Sequence, residues 1–228
     1  MKWRGAAIGG GATSGKLGPA VASRNKGGQY LRSRVVPSGG TPTPNQEVIR
    51  NAVRAASPAW SQTLTGTQRK NWNDYAANVP VVDVLGDTIQ LSGQNWYIGC
   101  NTVRSQIGAD LVSDAPTIFN RGGIDFSSAV ITLGPTSGTL SLSTSPSDSG
   151  LVDNDFIVVY GGRDFNAGRS KYFGSFQLAT AIQGNDTNGD FVFTLPFAHA
   201  SQNAMSFNIL VSRSDGRYST ASRITVTP

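Results

Sequence analysis

The chain has 228 residues, of which 14% are charged, and it is long enough to bury a hydrophobic core without a metal ion or a disulfide. A single His (His199) and a single Cys (Cys100) exclude a zinc site built from these ligands and an internal disulfide. The apolar runs are far shorter than the ~20 residues that span a bilayer, and residues 1–11 lack the apolar region of a signal peptide. We therefore expect a soluble protein, made in the cytoplasm, that needs neither metal nor cofactor.

The charges are divided unevenly along the chain. Residues 1–73 contain eleven Lys and Arg and one acid, Glu47, whereas residues 74–228 contain eight Lys and Arg and thirteen Asp. Such asymmetry is typical of a basic segment that binds an anionic partner. The candidate partners are an acidic protein surface, nucleic acid, and the acidic part of a neighbouring copy.

The first region, residues 1–43, contains no acid and is interrupted by glycine pairs and prolines. A segment of this composition cannot bury enough apolar surface to offset its backbone entropy. We therefore expect an extended basic arm that becomes ordered on a partner. Its candidate partner-binding residues are Lys16, Arg24, Lys26, Tyr30, Arg32 and Arg34.

A helical region is predicted over residues 44–115. At its start, the Thr43 hydroxyl can cap a helix that has Pro44 at its first position and Gln46 at its third. Apolar residues then recur at helical spacing as far as Ala56, and we expect Ser57-Pro58 to end this helix. A short helix carrying Trp60 would follow.

Two further helices are predicted in the same region. A second capping box at Thr65 begins a helix with Trp72 and Tyr75 on one side, and Pro80 marks its end. Residues 81–91 read as a hairpin around Gly86-Asp87. Ser92 then caps a helix whose apolar residues recur in steps of four, three and four: Trp96, Cys100, Val103 and Ile107. We expect four aromatic residues to anchor the core: Trp60, Trp72, Tyr75 and Trp96.

The third region, residues 116–228, alternates short apolar runs with turn sequences, which is typical of antiparallel strands. Seven strands are predicted, at residues 128–133, 138–144, 155–161, 172–182, 190–195, 205–212 and 220–227. We expect them to form an antiparallel β-sandwich of the immunoglobulin-like or jelly-roll type. The predicted fold class is therefore mainly β, with an N-terminal arm and a small helical region that contains a hairpin.

Three motifs approach catalytic or ligand-binding patterns, but each is incomplete. Residues 10–16 (GGATSGK) resemble a phosphate-binding loop, yet Leu17 replaces the Ser or Thr that would bind magnesium. Residues 186–190 (DTNGD) have the alternating oxygens of a calcium loop, yet Phe191 stands where glycine is required. No nucleophile-elbow pattern accompanies His199. We predict no catalytic residues, no metal ligands and no enzymatic activity.

Several short stretches of the chain resemble sequences of one family. In the first hundred residues they are residues 27–34 (GGQYLRSR), 64–69 (LTGTQR), 72–76 (WNDYA) and 91–96 (LSGQNW). In the second half they are residues 157–160 (IVVY), 168–169 (GR), 172–174 (YFG) and 214–219 (SDGRYS). Together they resemble a family of tailed-bacteriophage virion proteins. The relatives typically have Asn-Pro before the first helix, where this chain has Pro42-Thr-Pro44-Asn45.

This resemblance implies a small, non-enzymatic virion component made in many copies. The closest role is a capsid cement or decoration protein that stabilises the major capsid lattice through its N-terminal arm. Its expected partners are the major capsid protein and neighbouring copies of itself, in a ring or trimer, and its expected location is the virion. The alternatives are a tail, connector or spike component and a nucleic-acid-binding structural protein. A carbohydrate-binding module would instead use the aromatic residues Tyr160, Tyr172, Phe173 and Tyr218.

Overall fold

Helices and antiparallel strands occupy comparable shares of the part of the chain that the structure describes, so the predicted mainly-β class is too narrow. The computed structural model describes residues 15–25, 28–35, 40–83, 85–121, 130–133, 139–143, 151–152, 154–169, 171–184, 190–194 and 203–226. The chain divides into two compact units. The N-terminal unit consists of Met1–Pro42 and Pro80–Gln90, and the main unit consists of Thr43–Val79 and Leu91–Pro228.

The N-terminal unit contains a three-stranded antiparallel sheet of β1 (Gly15–Leu17), β2 (Ala20–Asn25) and β3 (Gly28–Ser33), in that order. The expectation that this segment lacks structure of its own is therefore wrong for residues 15–25 and 28–33. The missed signal is Gly18-Pro19, which joins β1 to β2 with Gly18 at φ +57°. A glycine with positive φ followed by proline suits the tight turns that match strand twist.

The same unit contains the predicted hairpin, which is confirmed. Its strands are β4 (Val81–Val82) and β5 (Thr88–Ile89), and Val81 pairs with Ile89. Asp83 stabilises the turn, because its Oδ1 accepts hydrogen bonds from the backbone N–H groups of Leu85 and Asp87 at 2.8 and 3.0 Å.

In the main unit, α1 (Pro44–Gln62) begins at the predicted capping box, where Thr43 accepts from the backbone N–H of Gln46. The predicted end at Ser57-Pro58 is wrong, because the helix continues through Pro58. Proline removes one helical hydrogen bond. Contacts beyond it hold the last turn: the Trp60 ring lies 5.7 Å from Tyr97, and the backbone N–H groups of Thr63 and Leu64 donate to Ala59 O at 3.0 Å.

The helices α2 (Gly66–Asn78) and α3 (Gly93–Gln106) also begin at their predicted caps, Thr65 and Ser92. They pack closely where α3 begins. A Cβ on Gly93 would lie 2.6 Å from the backbone nitrogen of Asn73, so only glycine fits at this position. The Gly93 N–H donates to Asn73 Oδ1 at 3.2 Å, which ties the two helices together.

The buried face of α3 differs from the predicted one. Val103 and Ile107 are only partly buried, whereas Asn101 and Arg104 are among the residues that the helix buries. The amide of Asn101 accepts from the Val112 N–H at 2.7 Å and donates to Val112 O at 3.1 Å. Because these bonds satisfy its polar atoms, Asn101 can occupy a core position that hydrophobicity alone assigns to other residues.

The strands of the C-terminal region form two antiparallel sheets. Their bounds are β6 (Val130–Leu133), β7 (Thr139–Ser143), β8 (Phe156–Gly161), β9 (Phe165–Asn166), β10 (Gln177–Gln183), β11 (Asp190–Thr194), β12 (Asn203–Ser212) and β13 (Ser222–Val226). One sheet has the order β10-β8-β12-β13, with β9 also paired to β12, and the other has the order β11-β7-β6. The predicted antiparallel strands are confirmed, but the strand predicted at 172–182 begins only at Gln177.

The core of the larger sheet lies on β8 and β12. Ile157, Val158 and Val159 are fully buried, so both faces of β8 are covered. On one face, Ile157 and Val159 belong to an apolar cluster with Phe207 and Ile209 of β12. The larger sheet is therefore the interior scaffold of the main unit.

We predict that Trp72→Ala lowers the free energy of unfolding by about 3–5 kcal/mol, as for other buried aromatic residues. Trp72 is fully buried, donates from Nε1 to Ser113 O at 2.9 Å and lies edge-on to Tyr97 at 5.5 Å. Chemical denaturation would measure the change. Ile118→Ala is the control, because Ile118 is 48% exposed and its loss should cost less than about 0.5 kcal/mol. Equal stabilities of the two variants would contradict this role of Trp72.

Candidate functional site

The register of the N-terminal sheet places cations on one of its faces. Lys16 and Arg32 both lie opposite Val21, and Tyr30 lies opposite Ser23. Because directly opposed residues share a face and alternate residues of a strand do too, these side chains lie on the same side of the sheet. Lys16 and Arg32 are exposed. We call the surface formed by Lys16, Tyr30 and Arg32 the basic face.

The opposite face of the sheet is less polar. It contains Ala22, which is 4% exposed, and the partly buried Leu31, which is paired with it. Arg24 lies on this face at the end of the sheet, paired with Gln29. The sheet is therefore amphipathic, with two of the predicted cations on one side and one on the other.

The remaining two predicted partner-binding residues lie beyond the strands. Arg34 is exposed and follows β3, and its backbone N–H donates to Pro19 O at 2.7 Å, which extends the pairing by one bond. Lys26 lies outside the described residues. The structure thus brings Lys16, Tyr30 and Arg32 together and places Arg24 and Arg34 apart from them.

The edge of this sheet is a second potential contact surface. β3 has six residues and no proline, and within the described ranges no strand pairs with its outer edge. An edge strand exposes a row of backbone N–H and C=O groups that can pair with another chain. The sheet therefore offers a partner both a cationic face and a strand edge.

The four predicted core anchors lie together in the main unit. Trp72, Tyr75 and Trp96 are fully buried, and Trp60 is partly buried against Tyr97. The rings of Trp72, Tyr75 and Trp96 pack edge to face, with 5.4 Å between the Tyr75 and Trp96 centroids, whereas Trp60 is tilted against Tyr97. Such geometry is favourable beyond the area that the rings bury. These residues hold α1, α2 and α3 together.

Arg121 extends this aromatic cluster and was missed from the sequence. Its guanidinium lies 5.5 Å from the Trp96 ring and 4.9 Å from the Tyr218 ring. Cation–π contacts of this kind are favourable when the cation is partly desolvated. No local motif indicates the contact, because Arg121 and Tyr218 are 97 positions apart.

A second polar group that the sequence did not reveal surrounds Asp155. Its carboxylate accepts from Arg213 Nη1 at 2.8 Å, from the Ser214 N–H at 2.6 Å and from the Val152 N–H at 3.2 Å. Arg104, which is 5% exposed, donates from Nη1 to Arg213 O at 2.9 Å and from Nε to Asp110 O at 2.7 Å. These bonds connect α3 with the ends of β8 and β12.

The buried thiol and phenols of the main unit are kept in their neutral forms. Burial is the largest cause of the raised pKa of Cys100, which is 1% exposed. Burial also raises the pKa values of Tyr75, Tyr97 and Tyr218. A thiol that retains its proton is a poor nucleophile. Cys100 is therefore suited to packing in the core.

The described residues contain neither a metal-binding cluster nor a membrane-spanning helix. Among the described residues, no three His, Cys, Asp or Glu residues lie close enough to hold a metal ion. Likewise, none of the described helices has the length and apolarity to cross a bilayer. Lys16 of the phosphate-loop-like motif lies in β1. His199 and residues 185–189, which include most of the calcium-loop-like motif, lie outside the described residues.

No protein-family model, curated protein or solved structure matches this chain.

We predict that stability falls less steeply with rising pH in Cys100→Ala than in the unaltered protein. The unfolded thiol releases its proton near its ordinary pKa of 9.0, whereas the folded thiol, with a raised pKa, retains it. The folded state therefore loses stability as pH rises above this value, by at most about 1.4 kcal/mol per pH unit for one group. Cys100→Ala removes this contribution, while the tyrosines retain theirs.

Urea denaturation between about pH 8 and 10 would measure the difference, because this range brackets the ordinary thiol pKa. Thr102→Ala on the same helix is the control, since it removes no titratable group and should keep the slope of the unaltered protein. Equal slopes for the unaltered protein and Cys100→Ala would contradict the prediction.

Proposed function

We propose that this protein is a non-enzymatic virion structural protein, a capsid cement or decoration protein that binds and stabilises the major capsid lattice through its N-terminal segment. The observation that carries the proposal is the amphipathic sheet β1–β3, which displays Lys16 and Arg32 on one face of a segment that contains no acid. The resemblance to tailed-bacteriophage virion proteins supports the same role.

Two sources of affinity are available to the N-terminal sheet. The outer edge of β3 can add to a strand edge of a capsid subunit through backbone hydrogen bonds. The basic face can pair with acidic side chains on the capsid, which gives orientation and fast association. Because β1, β2 and β3 already pair with one another, less ordering is needed on binding than for a structureless arm.

In this role the main unit is the folded body that the N-terminal sheet attaches to the capsid. In this proposal, its five-stranded and three-stranded sheets pack as an antiparallel sandwich and present the molecule on the particle surface. Many copies on a lattice bind more tightly than one, because each bound site raises the local concentration of the next. Neighbouring copies meet in a ring or trimer, and the protein resides in the virion.

Nucleic acid is the second candidate partner, because the basic face combines Lys16 and Arg32 with the aromatic Tyr30. Single-strand binders use cations with stacked aromatic rings in this way. Tyr30 is partly buried and is the only aromatic residue of the sheet, so the protein partner is favoured. A tail, connector or spike component would use the same surfaces at another place in the particle.

We predict that deleting residues 1–40 leaves a folded main unit that no longer attaches to capsids. The four core anchors and the larger sheet all belong to the main unit, so they remain after the deletion. Circular dichroism would check folding, and co-sedimentation with capsids stripped of the protein would check attachment. A truncated chain that unfolds, or one that still co-sediments fully, would contradict the prediction.

A sharper prediction concerns the basic face in the full-length chain. Replacing both Lys16 and Arg32 with Glu should weaken capsid binding at least about tenfold, because both charges face the acidic partner. The control is Arg24→Glu, which alters a cation of the same sheet on the opposite face and should bind nearly as the unaltered protein does. Co-sedimentation at several salt concentrations would measure both effects, since salt screens exposed charges.

Equal losses from the double variant and from Arg24→Glu would contradict a role for the basic face. The nucleic-acid alternative replaces the proposal if the unaltered chain does not bind empty capsids but binds single-stranded DNA with an affinity that falls steeply as salt increases.

A further inference from the structure

The loop between β8 and β10 carries the most exposed large apolar side chain in the described part of the chain. Phe173 is 89% exposed. The same loop carries three exposed cations, Arg163, Arg169 and Lys171. We call residues 162–169 and 171–176, which include β9, the Phe173 loop. An exposed apolar residue in a loop with exposed cations is typical of an interface, where an apolar centre has a polar rim.

Tyr172 fixes the conformation of this loop. Its hydroxyl accepts from the Arg163 N–H at 3.0 Å and donates to Ser175 O at 3.0 Å, so it joins the two sides of the loop. Its ring occupies the space where Gly162 and Gly174 lack side chains, since a Cβ on either would clash with the ring. The loop is thus ordered before any partner binds, which lowers the cost of binding.

Two neighbouring aromatic rings and Arg223 also contact Tyr172 or its surroundings and hold it in place. The Tyr172 ring lies 5.6 Å from Phe165 and 5.2 Å from Phe176. Arg223 donates to Tyr172 O, and its guanidinium lies 5.2 Å from the Phe176 ring. These contacts hold the side chain of Tyr172 inward while its neighbour Phe173 stays in solvent.

The charge of this surface contrasts with the rest of the C-terminal region. Seven Lys and Arg residues follow α3, against ten Asp. The four exposed cations are the three of the Phe173 loop and Arg223, while Arg121, Arg213 and Arg217 are partly buried. Among the described Asp residues of this region, Asp110 and Asp114 are exposed and Asp155 is buried, so a second copy of the chain presents carboxylates complementary to the loop.

A depression at the other end of the same strands has a mixed lining of apolar and polar residues. Its volume is about 470 Å³, and its lining includes Leu111, Val112, Phe156 and Gln183. Asp110 is exposed at this depression. Arg104 also lines it, but its guanidinium donates to two backbone carbonyls and the residue is 5% exposed.

Strand pairing places the loop and the depression at opposite ends of β8 and β10. Gly161 pairs with Gln177 beside the loop, and Phe156 pairs with Gln183 at the depression. The strand between them is about 17 Å long at ~3.3 Å per residue. One molecule therefore cannot place its loop in its own depression, but it can do so in the next molecule.

We propose that the protein associates head to tail, with Phe173 of one copy seated in the Asp110 depression of a second copy and Lys171 beside the carboxylate of Asp110. Contacts of this heterologous kind close into rings or extend into chains. The place of this contact in a particle rests on the proposed function. The contact adds to that function the surface through which neighbouring copies meet. A single-stranded nucleic acid also fits exposed cations and an aromatic ring, but it leaves the matching depression unexplained.

The test uses the full-length chain without capsids, so its outcome is independent of capsid binding. Sedimentation equilibrium should show concentration-dependent association of the unaltered protein. Phe173→Ser should raise the dissociation constant at least about tenfold. Ile118→Ser, which alters another exposed apolar residue of the main unit, is the control and should associate normally. The double replacement of Lys16 and Arg32 should also associate normally.

A charge exchange tests the orientation of the contact. Lys171→Asp and Asp110→Lys should each weaken self-association, because each puts like charges at the contact. An equimolar mixture of the two variants should associate again, since every loop then finds a depression of opposite charge in the other variant. This recovery is expected only if the two sites meet between different copies.

Three results would overturn the proposal: a monomer at every concentration, association that Phe173→Ser leaves unchanged, or no recovery in the mixture. Binding of an oligo-dT strand that depends on Phe173, with no self-association, would assign the loop to nucleic acid instead.

Discussion

A buried guanidinium, that of Arg104, joins the helical and β parts of the main unit. It donates to carbonyls of two segments that are far apart in sequence, at Asp110 and Arg213. Arg213 in turn pairs with the buried carboxylate of Asp155. Burying a charge costs free energy unless hydrogen bonds replace the lost water. These bonds can form only when α3 and the ends of β8 and β12 lie together, so they select this arrangement over others.

The same constraint positions the surfaces proposed for self-association. Asp155 and Arg104 order one end of the β8–β10 pair, where the Asp110 depression lies, and Tyr172 orders the other end, where Phe173 is displayed. The interior cations therefore support the scaffold, while the exterior cations are available to partners. Net charge alone does not distinguish the interior cations from the exterior ones. A guanidinium that donates to buried carbonyls contributes to the fold, whereas a guanidinium in solvent contributes to recognition.

The N-terminal unit and the main unit contribute different kinds of recognition. The sheet β1–β3 combines a strand edge with two cations on one face, which suits an extended acidic partner. The Phe173 loop presents a single apolar side chain within a charged rim, which suits a cavity in a folded partner. In the proposed role, one surface would hold a lattice subunit and the other a neighbouring copy. A protein that is present in many copies on a lattice binds more tightly when it has two separate binding surfaces of this kind.

Features that depend on neighbouring residues were predictable from the sequence. The helix caps arise from hydrogen bonds over a few positions, at Thr43, Thr65 and Ser92. The strands of the C-terminal region arise from alternation of apolar and polar residues over similarly short stretches. Pairing within residues 15–33 had a local signal in Gly18-Pro19, but its side chains do not alternate clearly enough to reveal it. The burial of Arg104 and the stacking of Arg121 on Tyr218 were decided by tertiary structure alone. Arg104 reaches a carbonyl 109 positions away, and no local pattern records a partner at that distance. For the same reason the loop and the depression became a pair of sites only once strand pairing had placed them at opposite ends of one sheet.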